Sequence, residues 1–370
     1  YRYFKYMNSL GFNKSEKDTK VVVAMSGGVD SSVAAVMLKK QGYNVIGITL
    51  RLYNNSAASK NKSCCAGIDI EDAKNVALKN DFEHIVLDYQ DKFFDGVINN
   101  FVDSYSRGET PIPCVTCNQT VKFKDLLDEA KKIGADALAT GHYAIRKGPL
   151  NKASLHKAKD YSKDQSFFLF ATLQEQLNYV RFPLGDYKKS EIRKIAQSYG
   201  LEVSNKPDSQ DICFVTSDSY RDLINNVNPY ANKKGVIYDT EGNILGTHEG
   251  ITNFTVGQRK GIGISGTKEP MYVTKINKDE NSIILGTKDK LKKNIINFNN
   301  INWLGGNIIP NMLDCSAKIR STQSDLPGTL DINKGKGTFT FHSKLDATSP
   351  GQACVFYKND QLLGGGWITA

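Results

Sequence analysis

Residues 26–32 read SGGVDSS and lie between an apolar run over 21–25 (VVVAM) and a helix-like stretch over 33–40. This order predicts a strand, a glycine turn and a helix. Such a turn directs backbone N–H groups and the positive end of the helix dipole at one point, where an anion binds. The spacing differs from GxxxxGK[ST], so the phosphate loop of kinases and GTPases is excluded, and Ser31 and Ser32 offer hydroxyls instead of a lysine. The alternative is a glycine turn that only joins strand to helix.

The composition predicts a globular protein of two or three domains, since the chain has 370 residues. Its 48 Lys and Arg against 39 Asp and Glu give a net charge of +9, which favours a polyanion such as nucleic acid as a partner. No apolar stretch approaches the roughly 18 residues that cross a bilayer, so we expect no membrane span. The first residues are basic without a following apolar core, and we expect a loose tail over 1–19 and a cytoplasmic location.

The first half of the chain predicts an α/β fold. Over 20–205, short apolar strands alternate with helical segments, which indicates a parallel sheet with helices on both faces, as in a nucleotide-binding domain. Its helices are expected over 69–80, 91–107, 118–133 and 188–199.

The second half is predicted to be mainly β. Helical periodicity fades after Leu201, and we expect a small β-rich linking domain over 206–272. The runs MYVTKI, SIILGT, AKIRST, GTFTFH and ACVFYK predict a C-terminal β-sandwich or β-barrel over 273–370.

The seven cysteines are odd in number, and without a secretory signal they indicate reduced thiols rather than a disulfide framework. Cys64 and Cys65 are adjacent, which is poor geometry for a zinc site. Cys315 and Cys354 lie in alternating, strand-like sequence, so we expect them in the core or on the surface.

Cys114 and Cys117 form a CxxC within GETPIPCVTCN. Pro111 and Pro113 bar a continuous helix, so we expect both thiols on a stiff loop before a helix that starts at Asn118. A CxxC alone is half of a zinc site, a redox pair, or one catalytic thiol beside a bystander. A thiol near a helix N-terminus has a lowered pKa, which suits Cys117 to nucleophilic work.

Three further polar positions are candidates. His142 follows the strand ADALAT at the ligand-binding edge of the sheet. It is a base, a substrate contact or a structural histidine. Cys213 in KPDSQDICF is a functional thiol or a small buried residue. Lys163, Asp164 and Gln165 precede the apolar run SFFLF and, taken alone, indicate a helix start.

A second glycine-rich stretch, GQRKGIGISG over 257–266, contains a formal GxGxxG. No strand and helix flank it, so it is not a dinucleotide loop. Arg259 and Lys260 predict a flexible basic loop for nucleic-acid phosphates. Arg320 and Gln352 end predicted strands, where they either contact RNA or are solvated surface.

Several motifs together resemble the tRNA-specific 2-thiouridylases of bacteria and mitochondria, in the family's order over residues 20–357. They are AMSGGVDSS, TPIPCVTCN with VKFKDLL, ATGHYA, KDQSFFL, DSQDICF, GQRKGIGI and SPGQACVFY. SGGVDSS is similar to the pyrophosphate loop of the ATP-pyrophosphatases, which cut ATP between its α and β phosphates. The resemblance implies an N-terminal ATP-pyrophosphatase domain, a small central domain and a C-terminal β-barrel, with tRNA gripped by all three.

The resemblance also implies a chemistry. The wobble uridine is adenylated at its 2-carbonyl oxygen, a persulfide on Cys213 supplies sulfur, and Cys117 releases it or closes a transient disulfide with Cys213. Asp30 is placed to help hold Mg²⁺ on the pyrophosphate, so ATP and Mg²⁺ are the implied cofactors. The implied partners are wobble-uridine tRNAs and a sulfur-carrier protein or desulfurase that donates the persulfide.

Two sets of binding residues follow from the same resemblance. The implied ATP-binding positions are Ala24, Met25, Ser26, Gly27, Gly28, Val29, Asp30, Ser31, Leu50 and Gly141. The implied tRNA-binding positions are Ile112, Pro113, Cys114, His142, Lys163, Asp164, Gln165, Arg320, Ser321 and Gln352.

The chain departs from the family at two positions. Many members carry an aspartate where this chain has Cys114, so no role of that carboxylate carries over. Cys114, Cys117 and Cys213 are instead able to hold an iron–sulfur cluster with one open iron, which is an alternative mechanism. Ser321 stands in place of a frequent aromatic residue, so stacking is not implied there.

Two other functions stay open. One is an amidating or argininosuccinate-type synthetase that adenylates a small acid, which has no need of paired cysteines or a basic β-rich half. The other is a non-catalytic RNA-binding protein with an inactive nucleotide fold, and the intact SGGVDSS argues against it.

Overall fold

The computed structural model describes residues 7–53, 67–207, 212–215, 219–267 and 269–370. They form two compact units. The N-terminal unit is drawn from Tyr1–Gly96, Cys114–Thr216 and Asp360–Leu362, and the second unit from Val97–Pro113, Ser217–Asn359 and Leu363–Ala370. Within the described ranges, no helix combines the length and apolar character needed to cross a bilayer.

The strands and helices are numbered in chain order. The strands are β1 (Lys20–Ala24), β2 (Asn44–Arg51), β3 (Glu83–Asp88), β4 (Ala137–Thr140), β5 (Ile145–Lys147), β6 (Ser154–His156), β7 (Val180–Arg181), β8 (Gly235–Asp239), β9 (Ile244–His248), β10 (Tyr272–Asn277), β11 (Ser282–Gly286), β12 (Lys293–Trp303), β13 (Met312–Lys318), β14 (Leu326–Asn333), β15 (Lys336–Leu345), β16 (Ala353–Lys358) and β17 (Gln361–Ile368). The α-helices are α1 (Val29–Lys40), α2 (Ile68–Lys79), α3 (Gln90–Phe93), α4 (Asn99–Ser106), α5 (Pro113–Cys117), α6 (Leu126–Lys132), α7 (Gln174–Tyr179), α8 (Lys189–Ser198) and α9 (Tyr220–Val227).

A five-stranded parallel sheet in the order β3-β2-β1-β4-β7 forms the centre of the N-terminal unit. The central strand β1 pairs with β2 and β4, so that Ala24 lies opposite Ile48 and Thr140. The valines of β1 have no exposed surface, as expected for a parallel strand covered on both faces. Side chains of α1, α2 and α8 complete the core around this strand. The predicted α/β fold is confirmed, and the helices expected over 69–80 and 188–199 are α2 and α8.

Residues 7–19 differ from the loose tail expected over 1–19. Asn8 and Thr19 are buried, and the Asn8 amide donates to the Thr19 hydroxyl at 2.8 Å. Lys14 pairs with Asp136 at 2.6 Å, and the Leu10 carbonyl accepts a hydrogen bond from Arg181 at 2.9 Å. These side chains fasten the segment to the N-terminal unit through polar contacts, which hydrophobic periodicity does not register. Residues 1–6 lie outside the described residues.

A four-stranded sheet in the order β10-β11-β8-β9 belongs to the second unit. The sequence predicts MYVTKI and SIILGT, which form β10 and β11, as strands of the C-terminal barrel; this assignment is wrong. β11 pairs in parallel with β8, with Ile283 opposite Ile237, and both side chains are fully buried in one small core. Alternation along a strand shows which face is apolar but not which partner covers it.

Six strands of the second unit close into a barrel in the order β12-β15-β14-β13-β16-β17, with β12 pairing back to β17. This confirms the predicted C-terminal β-barrel. Phe298, Phe339 and Phe356 pack inside it, with ring centroids 5.1 Å apart for Phe298 and Phe356 and 6.1 Å apart for Phe339 and Phe356. Gly337 allows this packing, because a Cβ there would lie 2.1 Å from the Phe298 ring.

The barrel core predicts a specific loss of stability. Phe356→Ala should destabilise the barrel by about 3–5 kcal/mol, because it removes a fully buried ring and leaves a cavity. The chain's 2 tryptophans, Trp303 and Trp367, both lie on barrel strands, so their fluorescence during urea unfolding reports on the barrel. Ile308→Ala is the control, since Ile308 is 82% exposed, and it should change stability by less than about 0.5 kcal/mol. Equal midpoints for the two variants would contradict this packing.

Candidate active site

The turn after β1 is held in a shape that only glycine permits. Gly27 has φ +71°, and a Cβ there would lie 2.2 Å from the backbone carbonyl oxygen of Asp69 at the start of α2. Gly28 precedes α1, and no side chain caps this helix. The first-turn N–H groups of α1 are therefore available to a ligand, and they carry the positive end of the helix dipole.

The two serines of the turn have different environments. The Ser31 hydroxyl accepts a hydrogen bond from the Ser26 backbone N–H at 3.1 Å and donates to the Gly28 carbonyl at 3.3 Å, which closes the turn on itself. The Ser32 hydroxyl is fully buried and has no hydrogen-bond partner among the described residues. A buried hydroxyl is normally hydrogen-bonded, so the Ser32 hydroxyl is open to a further partner.

Gly141 follows β4 and lies against the start of α1. A Cβ at Gly141 would lie 2.7 Å from the Ser31 backbone nitrogen, so a side chain there would fill the space above the helix N-terminus. Leu50 is half-buried near the end of β2, the neighbour of β1. The structure therefore brings residues 24–31, Leu50 and Gly141 together at the carboxyl edge of the parallel sheet, where open α/β sheets bind ligands.

Asp30 is paired with two residues that the sequence did not single out. The Lys189 ammonium lies 2.7 Å from both carboxylate oxygens of Asp30, and the Tyr143 hydroxyl donates to one of them at 2.7 Å. Tyr143 is two residues after Gly141 in ATGHYA, one of the motifs that carry the family resemblance. Lys189 begins α8, and only its distance from Asp30 in the fold identifies it.

A second lysine, Lys206, contacts the back of the turn. Its ammonium donates to the Gly27 carbonyl oxygen at 3.1 Å, to Asp72 at 2.6 Å and to Asp69. Burial lowers the pKa of Lys206, but the hydrogen bonds with both carboxylates outweigh burial and raise the pKa above its ordinary value. Sequence analysis missed this residue as well, because the contact joins three distant segments.

The expectation that Cys114 and Cys117 lie on a loop is wrong, because α5 already begins at Pro113. Proline suits the first position of a helix, where its missing N–H is not needed. The helix continues through a wider, π-helical segment, Asn118–Asp125, into α6. Cys117 therefore lies one turn inside the helix rather than at its N-terminus.

The predicted lowering of the Cys117 pKa is also wrong. Cys114 is exposed at the surface and Cys117 is buried. The protein atoms packed around each sulfur still exclude enough water to raise the pKa of both thiols above 9.0, opposed by the charge of Lys122. Lys122 of the motif VKFKDLL thus acts on both thiols. Its neighbour Phe123 packs edge-on against His142, with centroids 6.0 Å apart.

His142 is neutral at pH 7. Burial, followed by the charge of Lys122, moves the pKa of His142 well below 6.5. Its Nδ1 lies 2.9 Å from the Thr140 hydroxyl, and Phe182 packs edge-on with its centroid 6.4 Å from that of the imidazole. His142 is therefore a neutral hydrogen-bonding group beside the CxxC helix and not a cation for phosphates.

The KDQ segment uses two of its side chains within the N-terminal unit. Gln165 exchanges hydrogen bonds with the Tyr143 backbone, since its Oε1 accepts from the Tyr143 N–H at 2.9 Å and its own N–H donates to the Tyr143 carbonyl at 2.9 Å. Asp164 accepts from the Ala158 N–H at 3.1 Å and from the Ser166 hydroxyl at 2.9 Å. The two Gln165 bonds fix the backbone of Tyr143, whose hydroxyl in turn contacts Asp30.

Cys213 lies in the N-terminal unit, as Cys117 does. The Tyr53 hydroxyl donates to the Cys213 carbonyl at 2.8 Å, and the neighbouring Phe214 packs edge-on against Phe93 at 5.6 Å between centroids. The rest of the motif DSQDICF, over 208–211, lies outside the described residues, as do Cys64 and Cys65.

The remaining candidates lie in the second unit. The Arg320 guanidinium donates to the Ala347 carbonyl at 2.6 Å, and the Gln352 amide donates to the Thr110 carbonyl at 2.8 Å. Ser321 is half-buried, while Ile112 and Pro113 are buried. The basic stretch over 257–266 contains neither helix nor strand, so its formal GxGxxG is not a nucleotide loop.

An iron–sulfur cluster does not fit the described residues. No group of three or more His, Cys, Asp or Glu side chains within them is arranged to hold a metal ion, which includes the set Cys114, Cys117 and Cys213.

The fold and the turn are matched by three protein-family models. "tRNA methyl transferase HUP domain" matches residues 19–217, "tRNA methyl transferase PRC-barrel domain" matches 223–287, and "Aminomethyltransferase beta-barrel domain" matches 293–368. These matches define the class: a HUP-domain protein that carries a PRC-barrel and a C-terminal β-barrel.

Curated relatives define the family within that class. The chain is 50% identical over 359 residues to the tRNA-specific 2-thiouridylase MnmA of Ehrlichia ruminantium, covering 96% of both chains. It is 51% identical to that of Rickettsia canadensis, covering 96% of this chain and 98% of the relative, and 47% identical to that of Paracoccus denitrificans, covering 99% and 95%. The chain belongs to the tRNA-specific 2-thiouridylase family, which confirms the resemblance in its motifs.

The thiol environments predict unequal alkylation. Iodoacetamide should modify Cys114 at least about tenfold faster than Cys117 in the folded protein, because only Cys114 is exposed. Both rates should keep rising as the pH passes about 9, since burial raises both pKa values, whereas a thiol with a lowered pKa levels off near neutrality. Peptide mass spectrometry after timed alkylation measures both rates, and Cys114→Ser isolates the Cys117 rate. A Cys117 rate that is already maximal at pH 7 would contradict this.

Proposed function

We propose that this chain is an ATP-dependent tRNA 2-thiouridylase, a sulfurtransferase that replaces the 2-oxygen of the wobble uridine with sulfur. The carrying observation is the SGGVDSS turn, in which Gly27 closes tightly on α2 and leads into an uncapped α1, within a chain of the 2-thiouridylase family. The names of the relatives support this reaction. The geometry of the turn supports an ATP site where the bond between the α and β phosphates is cleaved.

In the adenylation step, the 2-carbonyl oxygen of the uridine attacks the α-phosphorus of ATP. The bond from that phosphorus to the oxygen bridging to the β-phosphate breaks, and pyrophosphate leaves. The first-turn N–H groups of α1 and the Ser32 hydroxyl are available to the leaving oxygens. Ala24, Met25, Leu50 and Gly141 are proposed to hold the rest of the nucleotide at the same sheet edge.

Asp30 fits a magnesium ion bound with the nucleotide. Mg²⁺ in nucleotide sites takes one or two carboxylates together with phosphate oxygens, and Asp30 is the carboxylate within the turn. When bound, the ion offsets the negative charge that develops on pyrophosphate. Lys189 contacts both oxygens of Asp30, so its ammonium places a positive charge beside the carboxylate that is proposed to hold the ion.

In the sulfur step, the terminal sulfur of a persulfide on Cys213 attacks C2 of the adenylated uridine, and AMP leaves. The Cys117 thiolate then attacks the Cys213 sulfur, which breaks the persulfide S–S bond and leaves 2-thiouridine. A Cys117–Cys213 disulfide forms, so an external dithiol must reduce both cysteines before the next turnover. Burial raises the Cys117 pKa, and the charge of Lys122 supports the thiolate that this step needs.

The partners proposed are tRNAs with a wobble uridine and a sulfur-carrier protein or desulfurase. The proposed tRNA contacts are Ile112, Pro113, Cys114, His142, Lys163, Asp164, Gln165, Arg320, Ser321 and Gln352. The net charge of +9 supports a polyanionic partner. A cytoplasmic location and an N-terminal functional domain over 20–205 complete the proposal.

Asp30→Asn tests the adenylation site. It should lower tRNA-dependent pyrophosphate release by at least about 100-fold, because the turn loses its carboxylate, while tRNA affinity stays within about twofold. Asp81→Asn is the matched control, since Asp81 is exposed and its carboxylate lies 4.0 Å from the Lys39 ammonium. Thermal unfolding of both variants separates this effect from misfolding around Lys189 once the charge of residue 30 is removed. Normal pyrophosphate release by Asp30→Asn would show that the turn is misassigned.

Cysteine variants test the sulfur step. Cys117→Ser and Cys213→Ser should each abolish thiolation while ATP binding persists, whereas Cys114→Ser should keep much of its activity. Mass spectrometry after one turnover without reductant should find the Cys117–Cys213 disulfide. A Cys114→Ser variant as inactive as the other two, together with iron in anaerobically purified protein, would instead support the cluster mechanism.

A further inference from the structure

The Gly27 carbonyl faces away from the proposed phosphate site and toward Lys206. The distance from the Lys206 ammonium to this oxygen is 3.1 Å. Gly27 must present its carbonyl in this direction with φ +71°, a conformation that is open to glycine and strained for other residues. The lysine thus bonds a peptide group of the turn that has no helix or sheet partner among the described residues.

The orientation of that peptide decides where the next N–H points. The described peptides contain no cis bonds, and a planar trans peptide directs its C=O and N–H to opposite sides. A Gly27 carbonyl held toward Lys206 therefore aims the Gly28 N–H away from α2. Gly28 is the residue just before α1, whose N-terminus has no side-chain cap, so this N–H joins the set open to an anion.

Lys206 is itself held in place at its side chain and at its backbone. Its ammonium is clamped between Asp69 and Asp72 of α2, and its own carbonyl accepts from the Arg193 guanidinium of α8 at 3.3 Å. The side chain is 27% exposed. A flexible surface lysine would not hold a peptide group in one orientation. Lys206 is held by two carboxylates and by its own backbone, so it loses no further conformational freedom when a ligand binds.

We propose that Lys206 is a positioning residue that orients the Gly27–Gly28 peptide so that the Gly28 N–H binds an oxygen of the ATP pyrophosphate group. The inference rests on the proposed function for the identity of the ligand and goes beyond it by assigning a residue outside the SGGVDSS motif. Lys206 does not touch the reacting atoms and acts through the backbone of the turn.

The test compares three single variants of the full chain. Lys206→Met should weaken equilibrium binding of ATP and of free pyrophosphate by about 10- to 100-fold, the loss expected for a misdirected hydrogen bond to a charged group. Lys206→Arg should recover most of the affinity, because its guanidinium still donates to the carbonyl and to the carboxylates. Lys79→Met is the matched control: Lys79 is an exposed lysine of α2 that pairs only with Glu202 in the described ion pairs, and its loss should leave affinity unchanged.

A double variant separates orientation from charge. If Lys206 only neutralises the α2 carboxylates, Asp72→Asn combined with Lys206→Met restores binding; if it orients the peptide, the double variant stays as weak as Lys206→Met. Restored binding in the double variant, or equal affinities for Lys206→Met and Lys79→Met, would overturn the inference. If Lys206→Met does not fold, Lys206→Arg and Lys206→Gln provide the test instead. Weak pyrophosphate binding is then expected for Lys206→Gln and not for Lys206→Arg.

Failure of the proposed function gives a different result from failure of the inference about Lys206. An unmodified chain that binds pyrophosphate but shows no tRNA-dependent pyrophosphate release would remove the thiolase proposal and leave the role of Lys206 to be judged on binding alone. Steady-state kinetics add the final discrimination: Lys206→Met should raise the KM for ATP and leave the KM for tRNA unchanged.

Discussion

The candidate site depends on two places where backbone lies against backbone. At Gly27 the turn touches the start of α2, and at Gly141 the chain leaving β4 touches the start of α1, with no room for a Cβ at either position. These contacts bring the starts of two helices and the end of a strand together at the carboxyl edge of the sheet. The serines and Asp30 of the turn lie at this edge, so the polar chemistry follows from the glycine geometry.

The two cysteines of the CxxC show how burial changes the chemistry of a motif. Placed one turn inside a helix, Cys117 loses the dipole benefit of a helix start and gains a raised pKa, so at rest it is a protected thiol. That state suits the role proposed for Cys117, which acts only after sulfur has arrived on Cys213, because a permanently ionised thiol would be open to oxidation and to wrong disulfides. The charge of the nearby Lys122 favours ionisation of Cys117 and opposes the effect of burial on its pKa.

Most of the fold and part of the site could be predicted from the sequence, for identifiable reasons. The turn, the parallel sheet and the end of β4 have local signals, namely a glycine turn and alternating apolar runs, and these predictions are confirmed. The start of α5 was missed because Pro113 was treated as a helix breaker although it occupies the first helical position. Strands β10 and β11 were assigned to the wrong sheet because strand patterning does not name a partner.

Lys189 and Lys206 cannot be identified from the sequence, because each lies more than a hundred residues along the chain from the carboxylate that it contacts. No local sequence pattern marks such a pair. Their arrangement constrains how the turn binds a polyanion. Asp30, Asp69 and Asp72 carry three negative charges against two positive ones on these lysines, so the five side chains offer no net attraction to a triphosphate. In the proposed site, attraction comes from the N–H groups at the start of α1 and from the Mg²⁺ that is proposed to enter with the nucleotide. The lysines hold carboxylates and a carbonyl in place, so the proposal assigns the selectivity for phosphate to the backbone that they support.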